Sequence, residues 1–372
     1  MGSKSLTWLL GVGLTALGCS GGGGGGGAGG GGGAGGGQTD GGLITDSGAG
    51  GMGGAGGAGG AGGAGGAGGS GGGLPPERSI DERCPDAQAG TYLLVMYPDR
   101  VDAYRHRANV TYFCEFLALA DNGITNATGI TRGNDGKFYV VQPEGNEGSV
   151  YRFSENGEFE AKVLTNANLA GIGGIWTTFG DDYFVYSRTS QNVYRLNDQL
   201  QYRGQATLPT WQGSRLENLK DLVFTEQDAM VATFTDRPPK LFKAPFGPDW
   251  PEDEIGAANA VAAIFGTEEG TKVMFAGQVG GLDAAYGVMV YKPPVSGRAP
   301  PELELVLVPA GEIEDGVSLA LHDTGVLVLD SGIAGSPRVQ DFSGAGERLS
   351  ETMLQGEGRP MRILREQVFP DF

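Results

Sequence analysis

The strongest constraint on this chain is a stretch that it repeats. Residues 127–164 read ATGITRGNDGKFYVVQPEGNEGSVYRFSENGEFEAKVL. The unit opens with an apolar run at 127–131, the turn Gly133-Asn134-Asp135-Gly136 and a β-rich run at 137–141. After a Gly-containing loop it continues with alternation at 149–153, a second turn at 154–157 and a closing run at 158–164. Val, Ile, Tyr, Phe and Thr suit a pleated strand, whereas Gly, Asn and Asp accept the backbone angles of tight turns. The pattern predicts a four-stranded antiparallel meander. A lone meander cannot cover both its faces, so it needs neighbours of its own kind.

Those neighbours follow. A second unit starts at Gly173, with GGIWT, a turn at 180–182, YFVYS, and Val193-Tyr194-Arg195-Leu196. That tetrad matches Val150-Tyr151-Arg152-Phe153, 43 residues earlier. A third unit begins at Leu219 (LKDLVF, AMVATF, KLFK), and a looser fourth runs from Val273 through GLDAAY, GVMVY and ELELVLV. The fifth has DGVSLALH from Asp315, a turn at 323–325, VLVLD, and the run 339–342. A repeat of about 43–51 residues suits four-stranded propeller blades better than helical repeats. The sixth unit is split. YLLVMY at 92–97, VDAY at 101–104 and the run 111–119 lack a first strand, while Pro360-Met361-Arg362-Ile363-Leu364 reads as a first strand with nothing after it. Joining the two closes a ring and removes exposed edges. The sequence therefore predicts an all-β, six-bladed propeller closed by pairing of its N- and C-terminal strands.

The ring accounts for residues 74–372. Before it, residues 21–73 are almost wholly Gly and Ala. Such a segment has nothing to bury and is expected to be a disordered tether, with an end-to-end distance of about 40 Å as a flexible coil. The chain begins with Lys4, an apolar run at 6–17 too short to span a bilayer, and Gly18-Cys19. This resembles the lipobox of bacterial lipoproteins. The resemblance implies a signal peptide at 1–18, a diacylated Cys19, and, with Ser20 instead of Asp after it, an outer-membrane or cell-surface address held by the N-terminal lipid. Cys84 and Cys114 are then an even pair in an oxidising compartment and are expected to form a disulfide. The formal net charge of −18 leaves no basic face for nucleic acid.

The candidate chemistry is sparse. Only two histidines are present, His106 and His322, placed in different blades without an acidic or nucleophilic partner at a recognised spacing. Asp330-Ser331-Gly332 lacks the G-x-S-x-G elbow and reads as a turn. The acidic groups at 252–254, within an insertion at 244–258, and at 268–269, after it, read as solvated loop. Glycines 171, 173 and 174 have no phosphate-loop context and read as space for a first strand to enter a crowded channel.

Glu314-Asp315-Gly316 followed by His322-Asp323-Thr324-Gly325-Val326-Leu327-Val328 resembles the PDG…D-x-x-G-x-L-x-V blade of the six-bladed superfamily of NHL-repeat proteins and senescence-marker/gluconolactonase-like hydrolases. Glu217-Asn218-Leu219 stands where those hydrolases place an asparagine before a first strand, and Asn126 marks the same point one part earlier. The resemblance implies a divalent cation (Ca or Zn) in the channel, with Asn126, Glu217, Asn218 and Asp315 as candidate ligands or bases. Where the family carries a glutamate on its closing strand, this chain has Gly358-Arg359-Pro360, and arginine repels a metal. Hydrogen bonding at turns and strand starts is the other reading of Asn218 and Asp315. Two functions therefore stand as expectations. One is a monomeric, lipid-anchored binding or scaffolding module for a protein, glycan or small molecule. The other is a metal-assisted hydrolase or lyase at the channel mouth.

Overall fold

The computed structural model describes residues 78–372 except 108, 179–181, 206–215, 225–229, 243–256, 268–269, 280–283, 293–301, 333–334, 357 and 370–372. The expected signal sequence, Cys19, the Gly-rich segment and both acidic groups lie outside the described residues. Among those described, no helix is long and apolar enough to cross a membrane.

The reference unit forms as its turns dictate: β4 Gly129–Arg132, β5 Phe138–Glu144, β6 Glu147–Phe153 and β7 Phe159–Asn166. At the first turn the amide of Gly136 donates to the carbonyl of Gly133, and Asp135 Oδ1 accepts from the Lys137 amide at 3.1 Å. Gly136 sits at φ +80°, a conformation open to glycine. Inner positions of the unit are buried on both faces, as in β5, whereas the outer β7 alternates between half-buried and exposed. This is why the middle strands read as continuous apolar runs and the outer ones as mixtures.

The remaining strands are β1 Gly90–Met96, β2 Val101–His106 and β3 Val110–Leu117; β8 Ile172–Thr177, β9 Tyr183–Ser187, β10 Asn192–Leu196 and β11 Tyr202–Gln205; and β12 Leu219–Phe224, β13 Met230–Phe234 and β14 Lys240–Phe242. After them come β15 Ala257–Thr267, β16 Gly270–Val279, β17 Tyr286–Lys292 and β18 Glu302–Ile313; β19 Gly316–His322, β20 Gly325–Asp330, β21 Arg338–Ser343 and β22 Arg348–Met353; and last β23 Arg362–Val368. All sheets are antiparallel meanders. The inner strands β23, β4, β8, β12, β15 and β19 each lie against the next, and β19 lies against β23. The architecture is an all-β propeller.

Two expectations are corrected. Five sheets have the four strands of a complete blade, not six; β12-β13-β14 has three. The stretch in which its fourth strand would fall, 243–256, lies outside the described residues. The fourth unit was also read one strand late. Residues 273–279 belong to its second strand, β16, and its inner strand is β15, which begins inside the supposed insertion. AANAVAAIFGT is alanine-rich, and alanine has little strand preference, so the run carried a weak signal.

Ring closure is as expected. β23 pairs with β1 over seven positions, with Ile363 opposite Val95 and Leu364 opposite Leu94. The period of two then splits β1 between two cores. Tyr92, Leu94 and Met96 pack with Ile130 and Phe138 of the following sheet. Leu93, Val95 and Tyr97 pack with Leu327, Leu329 and Ile363 on the other side. One strand thus holds two sheet–sheet interfaces.

Cys84 and Cys114 form the expected disulfide, with Cα atoms 5.1 Å apart and a sequence separation of 30. It staples the segment after the single-turn helix α1 (Ile80–Arg83) to β3. Closing a loop of that length stabilises the fold by about 3.5 kcal/mol in the chain-entropy account. Arg83 reinforces the staple, its buried guanidinium donating to the carbonyls of Glu115 (3.2 Å), Phe116 and Gly157 (3.1 Å).

Candidate functional site

Four inner strands are bulged. The register against the second strand slips between Ile172 and Gly174 in β8, Leu219 and Asp221 in β12, Ala258 and Val261 in β15, and Gly316 and Ser318 in β19. A bulge re-aims the side chains beside it. Close packing of the strands requires small residues: a Cβ on Gly129 of β4 would stand 2.9 Å from Gly174 Cα of β8. Gly129 and Gly174 thus let β4 and β8 approach, whereas a Cβ at Gly173 would meet the Arg188 side chain at 2.7 Å.

The bulges of β12, β15 and β19 meet. Lys220 Nζ donates to the Asn259 carbonyl (2.9 Å), Asn259 Oδ1 (2.9 Å) and the Gly316 carbonyl (3.1 Å). Asn259 Nδ2 in turn bonds the Tyr286 hydroxyl. Burial lowers Lys220 to about 8, against the opposing pull of the Asp315 and Asp221 carboxylates. Tyr286 is raised, by burial first and then by Asp315.

A cavity of about 580 Å³ is walled by Asp315, Ser331, Pro337, Arg359, Pro360 and glycines of two loops. Asp315 Oδ2 accepts from Ser331 Oγ (2.5 Å) and Arg359 Nη2 (2.7 Å). Its backbone is held by Asp330, whose carboxylate is fully buried. Asp330 accepts from the amides of Glu314 (3.1 Å), Asp315 (2.9 Å) and Gly332 (3.1 Å), and from Arg338 Nε (3.1 Å) and Nη2 (3.0 Å). Burial pushes Asp330 up, but these bonds outweigh it and hold it below the usual carboxylate range. Asp315 is thus a positioned side chain on a rigid base. Arg359 has 69% of its side chain exposed, and its hydrogen bonds to protein leave from Nη2.

A salt link crosses the channel. Arg362 of β23 lies 4.0 Å from Asp221 of β12, three inner strands further round the ring, and 5.9 Å from the Trp176 ring of β8. Trp176 Nε1 donates to the same Asp221 at 2.8 Å.

The four residues picked out in the sequence are not drawn together by shared bonds. Asn126 is exposed, with its amide on Gln142 Oε1 (2.9 Å). Asn218, at φ +59°, bonds Asp236 Oδ2 through its side-chain amide (2.8 Å). Glu217 is exposed and its carbonyl takes Arg237 Nη2 (2.9 Å). Among the described residues no three His, Cys, Asp or Glu side chains form a group able to hold a metal ion. Arg359 sits on Asp315, and Lys220 sits on the converging carbonyls, so the residues present do not fit a divalent cation at the mouth. The sequence reading passed over Lys220, Asn259 and Tyr286. A lysine in a strand expected to face a narrow channel was the available signal.

The histidines lie in different sheets, as expected, yet they share a partner that no sequence spacing announced. Both converge on Asp341 of β21: His106 Nε2 lies 3.0 Å from Oδ2 and His322 Nε2 3.0 Å from Oδ1. A carboxylate only accepts, so both imidazoles donate through Nε2. Thr324 Oγ1 lies 3.3 Å from His322 Nδ1, within hydrogen-bond reach. Burial pushes Asp341 up, yet the two histidine bonds outweigh it and hold it at about 2. The node clips β2 to the sheet of β19–β22.

No family model and no curated relative matches the sequence. Among solved structures, a chain of a nidogen/laminin complex superposes with a TM-score of 0.55 at 12% identity, over 74% of this chain and 98% of that one. Virginiamycin B lyase from Staphylococcus aureus gives 0.45 at 15% identity, over 74% and 88%. A protein provisionally assigned as a 6-phosphogluconolactonase from Bacteroides fragilis gives 0.48 at 10% identity, over 78% and 100%. At such identities the likeness speaks for fold alone.

Proposed function

We propose that this chain is a lipid-anchored propeller of the cell envelope that acts as a binding module, taking its ligand at the mouth of the central channel. In this reading the three-stranded sheet β12-β13-β14 counts as the sixth blade of the ring. The observation that carries the proposal is the cavity of about 580 Å³ beside Asp315 and Arg359. Its volume falls within the usual range of small-molecule sites, and its polar groups converge from two loops. Arg359 Nε and Nη1 have no protein acceptor among the described residues. A planar guanidinium with open donors suits carboxylate or other paired oxygen acceptors. The fitting ligand class is an acidic small molecule or glycan. The test is a thermal-shift panel of uronic acids, small carboxylates and neutral sugars on wild type and Arg359→Ala. An acidic member should raise the wild-type melting temperature, and the variant should lose at least tenfold in affinity. A panel with no effect, or equal binding by the variant, would contradict it.

Metal-assisted hydrolysis at the same mouth is the competing reading. The guanidinium on Asp315 counts against it.

Anchoring is tested separately. The run at 6–17 ending in Gly18-Cys19 supports a lipid on Cys19. Cys19→Ala should move the protein from the detergent phase to the aqueous phase on phase partition, with the domain still folded. Unchanged recovery in the detergent phase would overturn the anchor.

A further inference from the structure

We infer that the ammonium of Lys220 fills, as a covalently attached ion, a cation position built into the channel mouth, at the point where Asn259 Oδ1, the Asn259 carbonyl and the Gly316 carbonyl converge. Three neutral oxygens from two inner strands lie within 2.9–3.1 Å of one nitrogen. Carbonyl and side-chain amide oxygens around a point, with carboxylates nearby, are the donor set of a hard cation. The backbone is bent to make that set. Asn259 stands at φ +46°, within the bulge of β15, so its carbonyl and its side-chain oxygen face the same point. Left-handed backbone is uncommon outside glycine, and asparagine is among the few residues that adopt it readily. Lys220 stands at the slip of register in β12, which aims its side chain across β15 to β19. Asp315 and Asp221 supply the negative field that a cation there requires.

The inference goes beyond the binding-module reading and stands without it, because it concerns the oxygens around Lys220 and not the ligand in the cavity. Its consequence is a latent metal site. With the ammonium in place, a divalent ion meets an occupied cage and like charge. Once the ammonium is removed, the same three oxygens, in the field of Asp315 and Asp221, form an open hard-ion site.

The experiment compares the full chain and Lys220→Ala by thermal melting, in EDTA, in millimolar CaCl2 and in NaCl of equal ionic strength. Wild type should melt alike in all three. The variant should melt lower in EDTA and regain several degrees in CaCl2 but not in NaCl, since an ion that binds only the folded state raises its melting temperature. If the variant does not fold in EDTA, refolding in CaCl2 should recover it. A variant indifferent to calcium, or a wild type that takes up one calcium per chain, would overturn the inference. Acylation of wild type with an amine-reactive ester gives an independent reading. Lys220 should react at less than about a tenth of the rate of Lys137 and Lys162, whose side chains are 34% and 40% exposed. Equal reactivity would show an open amine and an empty cage.

Discussion

Removal of residues 360–372 is expected to abolish the cooperative melting transition or drive the protein into aggregates. The segment carries β23, which supplies the inner strand of the first blade and seven paired positions on β1. It also ties to the neighbouring sheet, where the Ile363 amide donates to Ser318 Oγ at 3.1 Å. Ile363 and Val368 are 1% and 0% exposed. Burying each such side chain is worth about 1.5–3 kcal/mol, so the apolar loss alone is about 3–6 kcal/mol. Domains of this kind are stable by about 5–15 kcal/mol in total. The truncation also bares the edge of β1 and uncovers the apolar face that Ile363 packs against on the neighbouring sheet. Circular dichroism melts with light scattering check the result, and removal of 21–73 is the control that should leave the transition in place. A truncated chain that melts with the full one would refute closure through β23.

Replacing Asp341 with alanine is the second large effect. It leaves the N–H of buried His322 and of half-buried His106 without an acceptor, at about 1–3 kcal/mol for the buried group and less for the other, for a loss of about 2–4 kcal/mol in urea unfolding. Asp341→Asn keeps the shape and isolates the charge. The folded carboxyl is held at about 2 against an ordinary value of 3.8. Its stabilisation is therefore complete above the ordinary value and is lost as pH falls from there toward 2. The asparagine variant should lack that part of the acid dependence. An acid-unfolding profile identical to wild type would show that the histidine bonds do not act through charge.

Much of the fold was legible because local chemistry and global architecture agree. The turn at 133–136 needs glycine where the backbone demands it, and the paired tetrads at Val150 and Val193 set the repeat. The split blade was readable as a missing first strand. What failed was β15, whose alanines suit a crowded channel but advertise no strand. The site was hidden for a different reason. It is assembled by bulges that no local pattern announces, and by contacts such as Lys220 to Gly316, 96 residues apart. His106 meets Asp341 across 235 residues, so two histidines that look isolated in the sequence share one carboxylate. The glutamate-to-arginine exchange at Arg359 was visible, and it pointed to the mouth. Lys220 offered only its place in an inner strand, since its partners lie 39 and 96 residues away.

The disulfide has a mechanical consequence. Cys84 precedes β1, and Cys114 lies in β3. A pull on the chain ahead of Cys84 enters the domain at a covalent junction, and the segment between the two cysteines cannot lengthen under it. Strands β1 and β2 lie inside that segment, and β1 is the partner that holds β23. Tension along the N-terminal chain therefore bypasses the seam that closes the ring. It is delivered to β3, which is fastened in turn by the Arg83 guanidinium reaching Phe116 and Gly157. The closure most exposed to loss by truncation is thus shielded from peeling by force, so the domain can hang by its N-terminal end without unzipping from it.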